Sequence, residues 1–154
     1  MIVKPVDNMP QLVRFLNEPD NTAALVDKGD FYALKPDALY VGIYDGAVLA
    51  GVHEVRQFWQ NVVECHCIYA KPYRGRVALH GHKLFCRWLL ENNPFTNSVT
   101  MVPDHTRQAR TILAMLGATR IGRMDAAYLR DGVAVPVTMY QLTREQYEEL
   151  THDL

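Results

Sequence analysis

Residues 68–118 read IYAKPYRGRVALHGHKLFCRWLLENNPFTNSVTMVPDHTRQARTILAMLGA, and this stretch decides the fold. Its opening strand ends in the turn Pro72-Tyr73-Arg74-Gly75-Arg76. From about Val77 to Glu91 the apolar residues Leu84, Phe85, Trp88 and Leu89 recur at helical spacing, and Asn92-Asn93-Pro94 stops the helix. Ser98 to Val102 reads as a strand. Asp104 is placed to cap a second helix, His105 to Leu116, with Ala109, Ile112, Leu113 and Leu116 facing inward and Gly117 just past its end. These alternating strands and helices predict βαβ elements.

Upstream, Ile2 to Val6 is a short strand whose Pro5 suits a sheet edge. Asp7 or Asn8 can cap a helix from Met9 to Leu16, with Leu12, Val13 and Leu16 on one face. Asn17 to Asn21 breaks that helix, Thr22 to Lys28 predicts another, and Gly29 to Ala38 reads as a loop. Leu39 to Tyr44 and Ala47 to Phe58 flank Asp45-Gly46, a pair suited to a type I′ turn because both residues tolerate positive φ. Val62 to Ala70 is the fourth strand, with Val63, Cys65, Cys67 and Tyr69 on one face and Glu64, His66 and Ile68 on the other. Downstream, Ala118 to Leu129 and Val133 to Leu142 form a hairpin over Asp131-Gly132, and Thr143 to Gln146 predicts a capping box for a last short helix. The order β-α-α-β-β-β-α-β-α-β-β predicts an α/β chain with a mixed sheet of six or seven strands and helices on both faces.

The totals bound the answer. With 154 residues, 49% of them hydrophobic and 21% charged, the chain is expected to form one globular domain over residues 1–154. A net charge of −1 gives no global field for nucleic acid or an anionic membrane. The basic residues Lys71, Arg74, Arg76 and Lys83 cluster locally, which suits a small phosphate-bearing molecule. Three cysteines define no disulfide framework, and the N-terminus lacks the basic and apolar regions of a signal peptide, so a cytoplasmic setting is expected. No apolar run approaches the roughly 20 residues of a membrane span.

The element order, together with Arg74-Gly75-Arg76 at a strand–turn–helix, resembles the GCN5-related N-acetyltransferase family. That family's pattern after the fourth strand is Arg/Gln-x-x-Gly-x-Gly/Ala. Here Val77 and Leu79 stand where the pattern has small residues; moving the frame to Arg76 places Leu79 and Gly81 there. The resemblance implies a GNAT-like fold, acetyl-coenzyme A as cosubstrate, and transfer of its acetyl group to a primary amine of a small molecule or protein. The physics agrees with the motif. A helix N-terminus carries unpaired N–H groups and a positive dipole end, which suit a diphosphate. The turn from Tyr69 to Ala78 builds such a start, Arg74 and Arg76 add charge, and Gly75 permits close approach. Residues Arg74 to Leu79 are the expected diphosphate site, and the family's pantetheine arm beside the fourth strand implicates the backbone of Ile68, Tyr69 and Ala70.

The resemblance also implies a general base on the fourth strand and a tyrosine acid on the second helix. Glu64 and His66 are the candidate bases, with His53 and Glu54 on the neighbouring strand. Where the family often has Asn-x-x-Ala-x-x-x-Tyr, this chain has Thr106, Ala109 and Leu113; Thr106 retains a hydrogen-bonding side chain and is the cofactor contact the resemblance implies there, and Leu113 has no proton to give. Metal ligation is not expected: Cys65-His66-Cys67 is spaced too closely for a structural zinc site, and His80 and His82 diverge on a helix. An alternative keeps the fold without the chemistry. The compact length and altered motif are similar to phage-encoded members of this fold that act in virion or head assembly, with phage structural proteins as partners and the virion as location. A dimer is compatible with the family, although no residue marks an interface.

Overall fold

The computed structural model describes residues 1–27 and 29–154. In chain order the elements are β1 (Ile2–Pro5), α1 (Met9–Leu16), α2 (Pro19–Leu25), β2 (Leu39–Asp45), β3 (Val48–Trp59), β4 (Val62–Tyr69), a 3₁₀ turn (Lys71–Tyr73), α3 (Arg76–Asn92), β5 (Asn97–Pro103), α4 (Arg107–Met115), β6 (Thr119–Arg130), β7 (Val133–Thr143) and α5 (Arg144–Thr151). The strands form one seven-stranded sheet in the order β1-β2-β3-β4-β5-β7-β6. Its neighbours run antiparallel except for β4 and β5, which are parallel and joined through α3.

Two apolar clusters cover the two sheet faces, as strand alternation requires. On one face Val41, Ile43, Val55, Cys65 and Tyr69 pack against Phe85, Cys86 and Leu89 of α3 and Tyr147 of α5. On the other, Tyr40, Tyr44, Leu49 and Val52 pack against Leu12, Phe15 and Leu16 of α1 and Tyr32 of the following loop. Leu12 and Leu89 are fully buried, each worth about 1.5–3 kcal/mol of transfer free energy.

Local chemistry explains most element ends. The Asn8 side chain accepts from Gln11 N–H at 3.0 Å and starts α1. Gly117, at φ +73, closes α4; its N–H and that of Ala118 return to the carbonyls of Ala114 and Leu113, a Schellman arrangement. Thr143 and Gln146 make both bonds of the capping box. Asp131 and Gly132 both have positive φ, as a two-residue hairpin of this type needs.

Four local expectations change. The second helix begins at Pro19, because proline's fixed φ suits a first helical position; it ends at Leu25, and Lys28 lies outside the described residues. At the β2–β3 turn only Gly46 has positive φ and Asp45 pairs with Val48, so the two loop residues are Gly46 and Ala47 rather than Asp45 and Gly46. The α1 stripe buries Phe15 in place of Val13. Finally, α4 starts at Arg107 rather than His105, because Asp104 is engaged elsewhere: its carboxylate takes Arg123 Nη1 at 2.5 Å and the Thr138 hydroxyl at 3.0 Å.

Candidate functional site

The site begins where β4 and β5 part. Their pairing covers only Val62–Asn97, Val63–Ser98 and Glu64–Val99. Beyond it β4 stays paired to β3 as far as Tyr69, and β5 stays paired to β7 as far as Pro103. A fork opens between them, tied at its base by the Thr100 hydroxyl, which donates to the Cys65 carbonyl at 2.9 Å. The Ala70 N–H donates to Ala50 O at 3.0 Å, so alternation directs Ile68 and Ala70 toward β3. The peptide groups of Cys67 and Tyr69 therefore face the fork. Of the three backbone positions expected beside a pantetheine arm, only Tyr69 turns that way, and Cys67 joins it.

A cavity of about 60 Å³ lies at the fork, lined by His53, Cys67, His82, Thr100 and Leu113 among others. His82 and Cys86 of α3 face inward with Phe85, whereas Leu84 of the expected stripe is only half-buried. His82 Nε2 is 3.2 Å from Cys67 Sγ, and burial holds its pKa down to about 4. Fully buried His53 stacks on Phe85 at 3.8 Å and meets Tyr69 Oη at 2.9 Å through Nε2; burial, then the charge of His82, keeps it neutral. Tyr69 fits because Gly51 and Gly81 leave it room: a Cβ at either would lie 2.6 Å from its side chain.

Just past the C-terminal end of β4, Gly75 caps α3 with φ +72 and no side chain caps the helix. The first helical bond runs from Leu79 N–H to Gly75 O at 3.1 Å, leaving the amides of Arg76, Val77 and Ala78 without helical partners. Val77 turns outward at 37% exposure, Ala78 is buried, and Leu79 packs half-buried against the core. Arg74 is engaged by the chain itself. Its Nε donates to Tyr69 O at 3.0 Å and its Nη2 to Asp20 O at 2.9 Å, tying the turn to α2. Arg76 is the exposed cation at the helix start. Thr106 precedes α4 without a side-chain cap bond.

The opposite sheet face carries a row of charges. Glu54 stands across from His66, and Arg56 across from Glu64. Glu64 accepts from Arg56 Nη2 at 2.6 Å and meets His66 Nε2 at 2.6 Å. Glu54 takes Lys35 Nζ at 2.8 Å and the Tyr32 hydroxyl. The hydrogen bond with His66 holds the Glu64 carboxyl below its ordinary value; burial opposes this, and the charges of His66, Arg56 and Lys35 assist it. Glu64 is thus kept as an anion that orients His66. The structure brings both candidate bases together. Sequence reasoning missed Lys35, Arg56 and the Cys67–His82 contact. Alternating charges on β3 and β4, two strands predicted to pair, were the available signal for Arg56. Tyr128 and Tyr140 are not among the residues lining the fork cavity.

The fold is that of the GNAT acetyltransferases. A spermidine N-acetyltransferase, SpeG of Vibrio cholerae in a single-site mutant form, superposes with a TM-score of 0.78 at 12% identity, covering 96% of this chain and 97% of that one. A GCN5-related N-acetyltransferase from Brucella melitensis gives 0.74 at 14% identity, covering 97% and 78%. A family model described as protein of unknown function, DUF2824, matches residues 3–153, and the chain belongs to that family. The protein p31 of Acyrthosiphon pisum secondary endosymbiont phage 1 is 29% identical over 146 residues, 95% of this chain and 94% of that protein. Among the described residues no helix is long and apolar enough to cross a membrane.

Proposed function

We propose that this chain is an acetyl-coenzyme A-dependent N-acetyltransferase acting on a primary amine. The observation that carries the reading is the fork between β4 and β5 lying directly upstream of an uncapped α3 N-terminus. The residues fit the cosubstrate, because no side chain caps the helix start and Val77 points away from the core. The amides of Arg76, Val77 and Ala78, with the Arg76 guanidinium, hold the diphosphate. The peptide groups of Cys67 and Tyr69 line the arm. Bound there, acetyl-coenzyme A supplies an activated acyl thioester.

His66 takes the proton from the acceptor amine. Glu64 fixes the ring through Nε2 and leaves Nδ1 as the basic atom. Leu113 offers no proton where the family pattern places a tyrosine, so as the amide forms and the thioester C–S bond breaks the coenzyme A thiolate would leave unassisted from that position and take its proton from solvent. The likeness to spermidine N-acetyltransferases supports an amine as acceptor class. Thiol release from acetyl-coenzyme A, across a panel of primary amines, tests the reading. His66→Gln is expected to lower kcat about 10²–10⁴-fold with little change in the KM for acetyl-coenzyme A; equal turnover in both proteins would exclude His66 as the base.

A second reading has its own support. The phage relative p31 and the protonless Leu113 favour a binding protein of phage assembly that keeps the fold without turnover. Exposed Leu129 and Val133 of the β6–β7 hairpin are then contacts for phage structural proteins. Detection of the chain in purified virions, combined with absence of thiol release, would establish this reading over the first.

A further inference from the structure

The four side chains of the Glu54–Arg56–Glu64–His66 row are linked through strand neighbours, and Glu54 takes a second, closer cation from a loop. Lys35 Nζ lies 2.8 Å from Glu54 Oε1; its side chain is 37% exposed, whereas that of Glu54 is 7% exposed. The loop is pinned beside this contact. The Tyr32 hydroxyl donates to the other Glu54 oxygen, Tyr32 N–H donates to Asn17 Oδ1 at 2.8 Å, and Lys35 N–H donates to Tyr40 Oη at 2.9 Å. A primary ammonium therefore rests on a buried carboxylate directly across the strand pair from His66. His66 is also among the residues at the fork.

An acceptor amine must lie near that place for His66 to draw its proton. Release of Lys35 leaves the buried Glu54 carboxylate with Arg56 as its one strand-borne cation and its closest ion pair lost, so exchange for another ammonium is favoured over emptying the seat. Arg56 is anchored on β3, 3.3 Å from Glu54 and 2.6 Å from Glu64, and belongs to the fixed frame. The Lys35 ammonium sits on a flexible stem and is chemically a primary alkylammonium. Building on the transferase reading, we propose that Glu54 is the seat for the acceptor's ammonium group and that Lys35 holds it in the free protein as a tethered competitor. The acceptor class that follows is a primary ammonium on an unbranched stem, as in an aliphatic amine or a lysine side chain.

The test uses the whole chain without any acyl donor. n-Butylammonium chloride is titrated calorimetrically into wild type, Lys35→Met and Lys35→Met/Glu54→Gln, with n-butanol in matched sodium chloride as the uncharged control. Wild type is expected to bind n-butylammonium weakly and to gain amide hydrogen exchange over residues 30–38 as Lys35 is released. Lys35→Met is expected to bind at least about tenfold tighter, a change of about 1.4 kcal/mol, and the double variant to lose binding. Lys35→Gln replaces Lys35→Met if the latter fails to fold. Absence of binding in both wild type and the Lys35 variant, equal affinity in the two, survival of binding after Glu54→Gln, or equal binding of n-butanol would each overturn the proposal. With no acyl donor present, a chain that lacks transferase activity can still pass this test, and an active one can fail it.

Discussion

Glu64 Oε1 lies 2.6 Å from His66 Nε2, a contact between residues two apart on one face of β4. The carboxylate is buried, and Arg56 holds its second oxygen. The contact engages Nε2 and leaves Nδ1 outside it, the geometry on which the proposed role of His66 rests.

This pair sets a pH signature. The Glu64 pKa is depressed in the folded chain, so its contribution is complete above the ordinary carboxylate value and is lost as pH falls through the folded value. Glu64→Gln is expected to cost about 2–3 kcal/mol at pH 7. The gap to wild type should narrow below about pH 4.5, and urea titrations at pH 7 and pH 3.5 check this.

The buried histidines act in a higher window. His82 is held down to about 4, from an ordinary 6.5, by burial, and His53 is also held low. The unfolded chain binds these protons first, so stability is complete above pH 6.5 and falls toward pH 4. His82 alone accounts for about 3 kcal/mol of that loss. His82→Gln should flatten the slope between pH 6.5 and 4.5; an unchanged slope would show that His82 titrates normally.

Gly81→Ala tests the packing around Tyr69. Alanine gains roughly 1 kcal/mol in a helix interior. Here its Cβ would meet Tyr69 Oη at 2.6 Å and Cε1 at 2.9 Å, against a ring also confined by Gly51. Overpacking of this kind costs about 1–3 kcal/mol. A net loss of stability is expected in chemical denaturation, and a gain would mean that Tyr69 can move.

Arg74 and Arg76 differ in their contacts despite their shared motif: the chain itself engages Arg74, and Arg76 is exposed. Arg74→Ala removes the tie to Tyr69 O and Asp20 O and is expected to cost about 1 kcal/mol without ligand. Arg76→Ala should leave stability unchanged and weaken coenzyme A binding about tenfold. Calorimetry of both variants with coenzyme A checks the assignment.

Much of this architecture was legible in the chain because local and global preferences agree. Asn8, Gly117, Thr143 and Gln146 are strong local signals, and each makes the bond its position predicts. The break after Leu16 falls where the sequence predicts it, but the next helix starts at Pro19 instead of Thr22 because proline also starts helices. The Asp45-Gly46 pair named its turn type wrongly because strand register, which sequence does not display, decides which two residues occupy the loop. At the site, the free amides of α3 follow from Gly75 and the absence of a capping side chain. The capture of Arg74 by α2 and of Glu54 by Lys35 spans 54 and 19 positions of chain. No local pattern encodes such contacts; they exist only once the sheet has formed.

The transferase reading stands or falls on binding of coenzyme A at the α3 N-terminus and the β4–β5 fork. Thermal unfolding with acetyl-coenzyme A at 100 times its Kd decides the matter. The expected result is about 2.7 kcal/mol of added stability, a smaller gain with Arg76→Glu, and no gain from acetate alone. Unchanged unfolding at millimolar acetyl-coenzyme A and at millimolar coenzyme A would contradict it.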